Sequence, residues 1–245
     1  MWGLLDCTHY YHRSGQTSAV INRATLALEE RERTAVFAPP GHGKTTIVRL
    51  LTGVEPPHEG QVLRTPGVWP LGYAGAFRPE MTGDSNVRAI ARMAGVDPDT
   101  LSAHALAFSE LGDAFFLPMS SYTNRMKARL GFATSFGIPT NVFIADDKLV
   151  GGEPAFREKC EFELEQRLET SGLVFFTSNP RPAEGVCDRF VVLEGGQFVD
   201  YPDYEQAREA LMRLLEEQEF IPMAMDEEED LLSQDRDDPF FFDLA

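Results

Sequence analysis

A phosphate-binding loop is the sequence feature that most constrains the fold. Residues 38–46 read Ala-Pro-Pro-Gly-His-Gly-Lys-Thr-Thr. They match the pattern of glycine, four residues, glycine, lysine and then serine or threonine at every position except the first, where Ala38 replaces glycine. The apolar run at 34–37 is typical of a buried strand, and residues 46–51 have the pattern of a helix start. This order predicts the α/β core of a P-loop nucleotide-binding protein.

The residue types in the loop indicate how a nucleoside triphosphate would be held. Gly41 and Gly43 let the backbone bend tightly and direct N–H groups at phosphate oxygens, beside the positive end of a helix dipole. Lys44 is expected to reach the β- and γ-phosphates, and the Thr45 hydroxyl to bind Mg²⁺. The other loop residues assigned to the nucleotide site are His42 and Thr46.

Length, charge and cysteine content narrow the class of protein. The 245 residues can bury the core of one α/β unit with a small inserted subdomain. A formal net charge of −17 argues against a nucleic-acid partner, because nucleic acids favour basic surfaces. Cys7, Cys160 and Cys187 are widely spaced, which suits a reducing compartment better than disulfides or zinc. Since the chain shows no leader pattern and no apolar run of ~18 residues, we expect a cytoplasmic protein whose membrane link comes through a partner.

The apolar strand at 141–145 is followed by two acids, Asp146 and Asp147. In a nucleotide-binding α/β core, a carboxylate at the carboxyl end of such a strand faces the phosphates and helps to hold Mg²⁺. The alternative is a solvated turn after a strand. The phosphate loop about a hundred residues upstream favours the metal-binding interpretation.

Aromatic residues near the N-terminus offer a second candidate contact. Tyr11 could stack on an adenine ring, although an aromatic residue in a strand is also explained by packing alone. We expect His9 and His12 to be ordinary surface histidines.

The C-terminal segment 223–245 differs in composition from the rest of the chain. From Asp226 to Ala245 it holds nine acids and one arginine, a net charge of −8. Such charge without hydrophobic periodicity predicts disorder. Because residues 240–242 are consecutive phenylalanines, we hypothesise that this tail is a short docking peptide for a partner.

Several segments, in order and spacing, resemble the ATP-binding subunits of ABC transporters, and among them the branch that exports capsular and related polysaccharides. They are 69–77 (Trp-Pro-Leu-Gly-Tyr-Ala-Gly-Ala-Phe), 81–88 (Met-Thr-Gly-Asp-Ser-Asn-Val-Arg), 126–133 (Met-Lys-Ala-Arg-Leu-Gly-Phe-Ala), 187–189 (Cys-Asp-Arg) and 193–196 (Leu-Glu-Gly-Gly). The resemblance implies an α/β fold with a P-loop NTPase core of the ABC ATPase type, an antiparallel β subdomain and an inserted helical subdomain. The nucleotide-binding domain would span 1–222, with the helical insert at about 82–137.

On this resemblance, the residues that bind Mg-ATP are intact. Lys44, Thr45 and Asp146 match the family's phosphate and Mg²⁺ ligands, and Tyr11 lies where the family places its adenine-stacking aromatic residue. ATP and Mg²⁺ are therefore the implied cofactors.

The positions that the family uses for hydrolysis are replaced. The residue after the Mg²⁺ aspartate is usually glutamate, which positions the attacking water; here the shorter Asp147 is a weak base or none. Asn179 stands at the switch histidine, and an amide carries no proton that transfers near neutral pH. Ala76 replaces a glutamine that often contacts the metal and water.

The signature segment is also altered. The family's run resembles Tyr-Ser-Ser-Gly-Met, and here residues 122–126 read Tyr-Thr-Asn-Arg-Met. Thr123 and Arg125 are expected to face the nucleotide of a partner subunit. Arg125 either blocks the close approach that glycine allows or grips the γ-phosphate with its guanidinium. Glu153 replaces the aspartate of the loop that crosses the family's dimer interface.

Two functional hypotheses follow. The first is a transport ATPase subunit, a homodimer or a heterodimer with another ABC subunit, bound to the inner face of the membrane through a membrane-spanning transporter subunit. The second is a nucleotide-binding scaffold without useful turnover that pairs with another protein through its tail. A P-loop kinase is disfavoured because no acceptor-site or lid motif is visible.

Overall fold

Two β-sheets organise the chain in a computed structural model that describes residues 1–13, 16–72 and 75–219. The acidic tail at 223–245, the predicted domain end at 222 and two residues of the 69–77 segment lie outside these ranges. Nine strands alternate with six α-helices over the described residues. The strands are β1 (Trp2–Arg13), β2 (Gln16–Leu28), β3 (Arg33–Phe37), β4 (Glu59–Leu63), β5 (Val68–Pro70), β6 (Val142–Asp146), β7 (Gly172–Thr177), β8 (Arg189–Glu194) and β9 (Gln197–Tyr201). The helices are α1 (Lys44–Thr52), α2 (Gly83–Met93), α3 (Pro98–Ser109), α4 (Asn124–Gly137), α5 (Pro154–Leu168) and α6 (Tyr204–Glu219).

The larger sheet has six strands in the order β5-β6-β7-β3-β8-β9. All neighbouring strands are parallel except β9, which pairs with β8 in the antiparallel sense. The central strand β3 is buried from Thr34 onward, as expected of a parallel strand covered on both faces. This order places the carboxyl ends of β3, β6 and β7 at one edge, where α/β proteins bind ligands.

The smaller sheet is antiparallel, in the order β2-β1-β4. It packs with α1 on one face of the large sheet, and the shared core includes Trp2, Ile21, Val36 and Ile47. The opposite face of the large sheet carries a second core, where Phe143 and Phe175 pack with the inserted helices. Strand residues thus alternate between two cores, as the pleat requires.

Helices α2, α3 and α4 lie between β5 and β6 in the sequence and form the predicted helical insert. Thr82 caps α2 by accepting a hydrogen bond from Ser85 N at 3.1 Å, and Asp97 caps α3 by accepting from Thr100 N at 2.8 Å. The 3₁₀ turns Gly112–Phe116 and Met119–Ser121 lead into α4. The predicted fold class is confirmed: an α/β core with an antiparallel sheet and inserted helices.

Within the described residues, no helix is both long and apolar enough to cross a lipid bilayer. The three cysteines are buried and free of disulfides.

The two loop glycines give a test of how the phosphate loop is held. Both have a left-handed backbone, with φ of 78° at Gly41 and 79° at Gly43, so alanine at either position costs about 1–2 kcal/mol of strain. A Cβ at Gly43 would also meet Val20 Cγ1 at 2.3 Å, whereas a Cβ at Gly41 meets nothing within 4 Å. We therefore expect Gly43→Ala to lower the free energy of unfolding more than Gly41→Ala, measured by urea denaturation.

Val20→Ala provides the control for this pair. When added to Gly43→Ala, it should remove the part of the destabilisation that exceeds that of Gly41→Ala, because the clash with Val20 is gone. The part due to backbone strain should remain. Equal losses for the two glycine variants would contradict the close contact with Val20.

Candidate functional site

The phosphate loop and the end of β6 are joined by one hydrogen bond. Thr45 Oγ1 donates to Asp146 Oδ2 at 2.6 Å, across 101 positions of sequence. Thr45 lies in the first turn of α1, and Asp146 is the last residue of β6. The two predicted Mg²⁺ ligands are therefore neighbours in the fold.

The second oxygen of Asp146 is left without a partner. Asp146 Oδ1 is buried and accepts no hydrogen bond from the residues that the structure describes. Burial raises the pKa of the Asp146 carboxyl, and the nearby Asp147 adds to this, while Thr45 and Lys44 oppose it. A buried carboxylate oxygen beside a hydroxyl fits Mg²⁺, which prefers oxygen ligands and keeps several waters.

Lys44 lies between the loop and Asp147. Its side chain is largely buried, and Nζ is 3.4 Å from Pro39 O and 3.9 Å from Asp147 Oδ1. Helix α1 begins directly after Gly43, with no side-chain cap and no acid in its first turn. The first N–H groups of a helix have no intrahelical partner, so they remain suited to an anion. His42 is half-buried, with Nδ1 3.2 Å from Pro40 O.

Ala38 fits where the motif has glycine. It is fully buried, and its N–H donates to Thr177 O at 3.1 Å. Its φ is not among the positive values found at Gly41 and Gly43. The loop therefore needs no glycine at this position.

Asp147 has a strained backbone, and its carboxylate accepts a hydrogen bond from a backbone N–H group. Its φ of 58° lies in the left-handed region that few non-glycine residues adopt. Asp147 N donates to Phe176 O at 2.8 Å, and Asp147 Oδ1 accepts from Ser178 N at 3.2 Å. Strand ends β6 and β7 thus hold the Asp147 carboxylate near Lys44.

Asn179 follows β7, and its amide faces the next turn. The side-chain oxygen Asn179 Oδ1 accepts a hydrogen bond from Arg181 N at 3.3 Å. The backbone N–H of Asn179 donates to Thr177 Oγ1 at 3.0 Å. The side chain is exposed. The structure therefore places Asn179 one residue from the N–H that binds Asp147, with its amide oxygen already engaged.

Tyr11 lies over the start of α1. Its hydroxyl forms a short hydrogen bond with the buried Thr46 Oγ1, and 47% of the residue is exposed. The structure thus brings Tyr11 to the phosphate loop and leaves ring surface open. Its role as an adenine platform stays a prediction.

The expectation that His9 is a surface histidine was wrong. His9 is 2% exposed, with Nε2 3.2 Å from Glu55 Oε1 and Nδ1 3.1 Å from His58 Nδ1. Burial lowers the pKa of His9, and Glu55 opposes this effect. The register of β1 shifts on both sides of His9, so simple alternation does not predict which face it occupies. The side chain of His12 lies outside the described part of the structure.

Thr123 and Arg125 stand at the start of α4. Thr123 caps the helix by accepting from Met126 N at 3.3 Å, and both residues are exposed. Among the described residues, no hydrogen bond or ion pair joins them to the phosphate loop. The chain therefore presents two separate predicted sites, the loop with the ends of β6 and β7 and the start of α4.

The sequence analysis missed Arg129 as a site residue. Arg129 lies one turn beyond Arg125 on α4 and pairs with Glu153, which precedes α5. Its presence in the 126–133 segment was the available signal, but the partner is 24 residues away and follows from the tertiary fold.

A P-loop core, a strand-end carboxylate beside the loop, and helices inserted between β5 and β6 together define an ABC-type nucleotide-binding cassette.

Comparison with known proteins identifies relatives, although no family model matches the chain. ATP-binding protein BexA of Haemophilus influenzae is 34% identical over 198 residues, covering 80% of this chain and 91% of that protein. Capsule polysaccharide export ATP-binding protein CtrD of Neisseria meningitidis serogroup B is 33% identical over 201 residues, covering 82% and 93%. Polysialic acid transport ATP-binding protein KpsT of Escherichia coli is 28% identical over 191 residues, covering 77% and 85%.

Solved structures agree on the fold. The structure of an ATP-binding subunit of an ABC transporter gives a TM-score of 0.71 at 18% identity, covering 90% of this chain and 98% of that one. A dimeric ATP-binding cassette in a post-hydrolysis state with ADP and Pi gives 0.68 at 16% identity, covering 82% and 98%. The chain belongs to the ATP-binding subunits of ABC transporters, in the branch that contains these capsule polysaccharide export proteins.

Asp146→Asn tests the balance between stability and metal binding. The folded protein binds the Asp146 proton more tightly than the unfolded chain does, because its pKa is raised. Ionised Asp146 therefore costs stability, and that cost appears as pH rises from the ordinary aspartate pKa through the raised value. We expect Asp146→Asn to raise the melting temperature of the metal-free protein at pH 7 and to remove the Mg²⁺-dependent part of its stabilisation by ATP.

Asp147→Asn is the matched control, since it removes the same charge from a half-exposed neighbour. It should not raise the melting temperature. A lower melting temperature for Asp146→Asn at pH 7 would contradict a net destabilisation by the ionised Asp146 carboxylate.

Proposed function

We propose that this chain is the ATP-binding subunit of an ABC-type exporter of polysaccharide or a related glycan, with attenuated hydrolysis. Two copies would bind Mg-ATP between the phosphate loop of one and the start of α4 of the other. The observation that carries the proposal is the junction of Lys44, Thr45 and Asp146, in a chain whose relatives are named for capsule export. On this proposal, the protein works at the inner face of the membrane through a membrane-spanning partner.

Each loop residue has a defined part in binding. The N–H groups of Gly41 to Thr46 surround phosphate oxygens, and Lys44 supplies a positive charge to the β- and γ-phosphates. Thr45 and Asp146 would hold Mg²⁺, which when bound would offset phosphate charge. Tyr11 would leave Thr46 and stack on the base, since its ring is half exposed.

Turnover is limited by the groups near the γ-phosphate. Asp147 is one methylene shorter than the family's glutamate, and its carboxylate is bound by Ser178 N. Asn179 has no proton to transfer, and its oxygen accepts from Arg181 N. Both groups are thus poorly placed to orient an attacking water.

Arg125 is proposed to contact the γ-phosphate bound by the other copy. A cation in the first turn of a helix is unfavourable beside the positive end of the dipole, and α4 itself has no acid in that turn, although Glu153 at the start of α5 attracts Arg125. A phosphate at this position would relieve the repulsion. Thr123 orders the turn by capping it.

Nucleotide binding is tested first. Lys44→Ala should weaken the binding of a fluorescent ATP analogue with Mg²⁺ by roughly 10- to 100-fold, because a charged hydrogen bond contributes about 1.5–3 kcal/mol. Lys148→Ala is the control, since this exposed lysine lies two residues beyond Asp146 and outside the loop. Unchanged affinity in Lys44→Ala would contradict the proposed site.

Hydrolysis is tested by restoring the family's residues. We expect slow turnover by the purified chain, and a gain of about tenfold or more in Asp147→Glu/Asn179→His, within the ~10²–10⁴-fold that a positioned base contributes. Phosphate release under saturating Mg-ATP is the measurement. Normal turnover by the unsubstituted protein would contradict the proposal that its ATP hydrolysis is attenuated.

No gain in the double variant would point to Arg125 or a missing partner. Adding Arg125→Gly to the double variant separates these cases, because relief of a block raises turnover and loss of a phosphate contact lowers it. Binding without turnover in every variant would favour the scaffold function.

A further inference from the structure

Four charged residues tie three helices together away from the phosphate loop. We name Glu110, Arg129, Glu153 and Lys159 the interhelix clamp. Arg129 belongs to α4, Lys159 to α5, and Glu110 ends α3 with a left-handed backbone at φ 56°. Glu153 lies in the segment between β6 and α5 that begins at Asp147.

Arg129 is at the centre of the clamp. Its Nη1 donates to Ser109 O at 3.0 Å, and its Nη2 pairs closely with Glu153 Oε1 and lies 3.4 Å from Glu110 Oε2. The guanidinium carbon is 4.8 Å from the centre of the Phe156 ring, and the side chain is 17% exposed. A planar guanidinium carries several N–H donors in fixed directions and can bind all these partners at once, whereas an ammonium group lacks that fixed arrangement of donors.

Glu153 occupies the N-cap position of α5 without capping it. Its side chain makes no hydrogen bond to the first turn of the helix, which continues with Pro154. Aspartate is among the favoured N-cap residues, and glutamate is not. The longer side chain at this position therefore reaches Arg129 in place of the helix.

Lys159 is the member of the clamp that contacts the end of α3 and makes no described contact with Glu153. Its Nζ donates to Phe108 O and Glu110 Oε1, both at 2.8 Å, and lies 4.6 Å from the Phe108 ring centre. Like Arg129, it places a cation at the C-terminus of α3. Its described hydrogen bonds and ion pairs do not reach the 147–153 segment.

We propose that Arg129 is a positioning residue that, through Glu153, fixes the 147–153 segment relative to the start of α4. This inference rests on the proposed function, in which each nucleotide lies between Asp147 of one copy and Arg125 of the other, so that the two residues of one chain serve two different nucleotides. Arg125 is one turn from Arg129, and Asp147 begins the segment that Glu153 ends. A single ion pair thus links the placement of both groups.

Nucleotide binding by one copy and association of two copies depend on different residues. Lys44, Thr45 and Asp146 lie on the loop, α1 and β6, and none contacts the clamp through a described hydrogen bond or ion pair. Affinity for Mg-ATP in one copy should therefore not depend on Arg129. Association of two copies and turnover require both edges at the correct spacing, and misplacement by ~1 Å can cost up to ~10²-fold in rate.

Glu153→Asp in the 245-residue chain is the decisive variant. It shortens the reach to Arg129 by one methylene and supplies a better N-cap, so positioning is lost while α5 is at least as stable. We expect ATP-dependent self-association, measured by sedimentation, to weaken by about tenfold, with turnover falling in parallel. Affinity for a fluorescent ATP analogue should stay within about twofold and the melting temperature should not fall.

Two further variants serve as controls. Lys159→Met removes the other cation at α3 and should lower the melting temperature without changing self-association. Arg129→Lys should weaken self-association as Glu153→Asp does, and the double variant should be no weaker than the poorer single variant, because both remove the same link.

The outcomes distinguish this inference from the function on which it rests. Failure of the starting protein to bind Mg-ATP, or binding without self-association, contradicts both. Binding and self-association in the starting protein, together with an unchanged Glu153→Asp variant, contradict the positioning role alone. Equal effects of Lys159→Met and Glu153→Asp on self-association would mean that the clamp only stabilises the fold, and this result would overturn the inference.

Discussion

The site depends on the Asp146 carboxylate, which is half-buried and has one buried oxygen without a hydrogen-bond partner among the described residues. Asp146 ends a strand whose other residues are fully enclosed, and only one of its oxygens has a partner, Thr45. Burial of that charge is unfavourable in the absence of a cation, as the raised pKa of Asp146 indicates. The cores on both faces of the sheet must therefore offset it.

The residues proposed for binding and those proposed for turnover depend on different features of the same edge of the sheet. The phosphate loop is set by β3, by the left-handed glycines and by the start of α1, so its shape depends on backbone conformation. Asp147 and Asn179 depend on side-chain reach beyond the ends of β6 and β7. A one-methylene change at Asp147 alters that reach without disturbing β6. On the proposed function, a substitution at Asp147 or Asn179 would change turnover and leave the loop and Asp146 intact.

The parts of the fold that could be predicted from sequence are those governed by local pattern. Strands β3 and β6 were visible as apolar runs next to the phosphate loop and the two acids. His9 could not be placed, because register shifts in β1 move side chains between faces. Arg129 could not be recognised as a site residue either, since its partners lie on two other elements and only the packing of α3, α4 and α5 brings them together.

The two ends of the 147–153 segment carry opposite replacements relative to the family. At the start, aspartate stands where glutamate is usual, and the carboxylate is held by Ser178 N at the end of β7. At the end, glutamate stands where aspartate is usual, and the carboxylate reaches Arg129 on α4. One change withdraws a carboxylate from the nucleotide side, and the other extends a carboxylate toward the helical insert. Taken together, the two carboxylates connect this segment to the end of β7 at one side and to α4 at the other. The segment between β6 and α5 is therefore held at both ends by polar contacts with different elements.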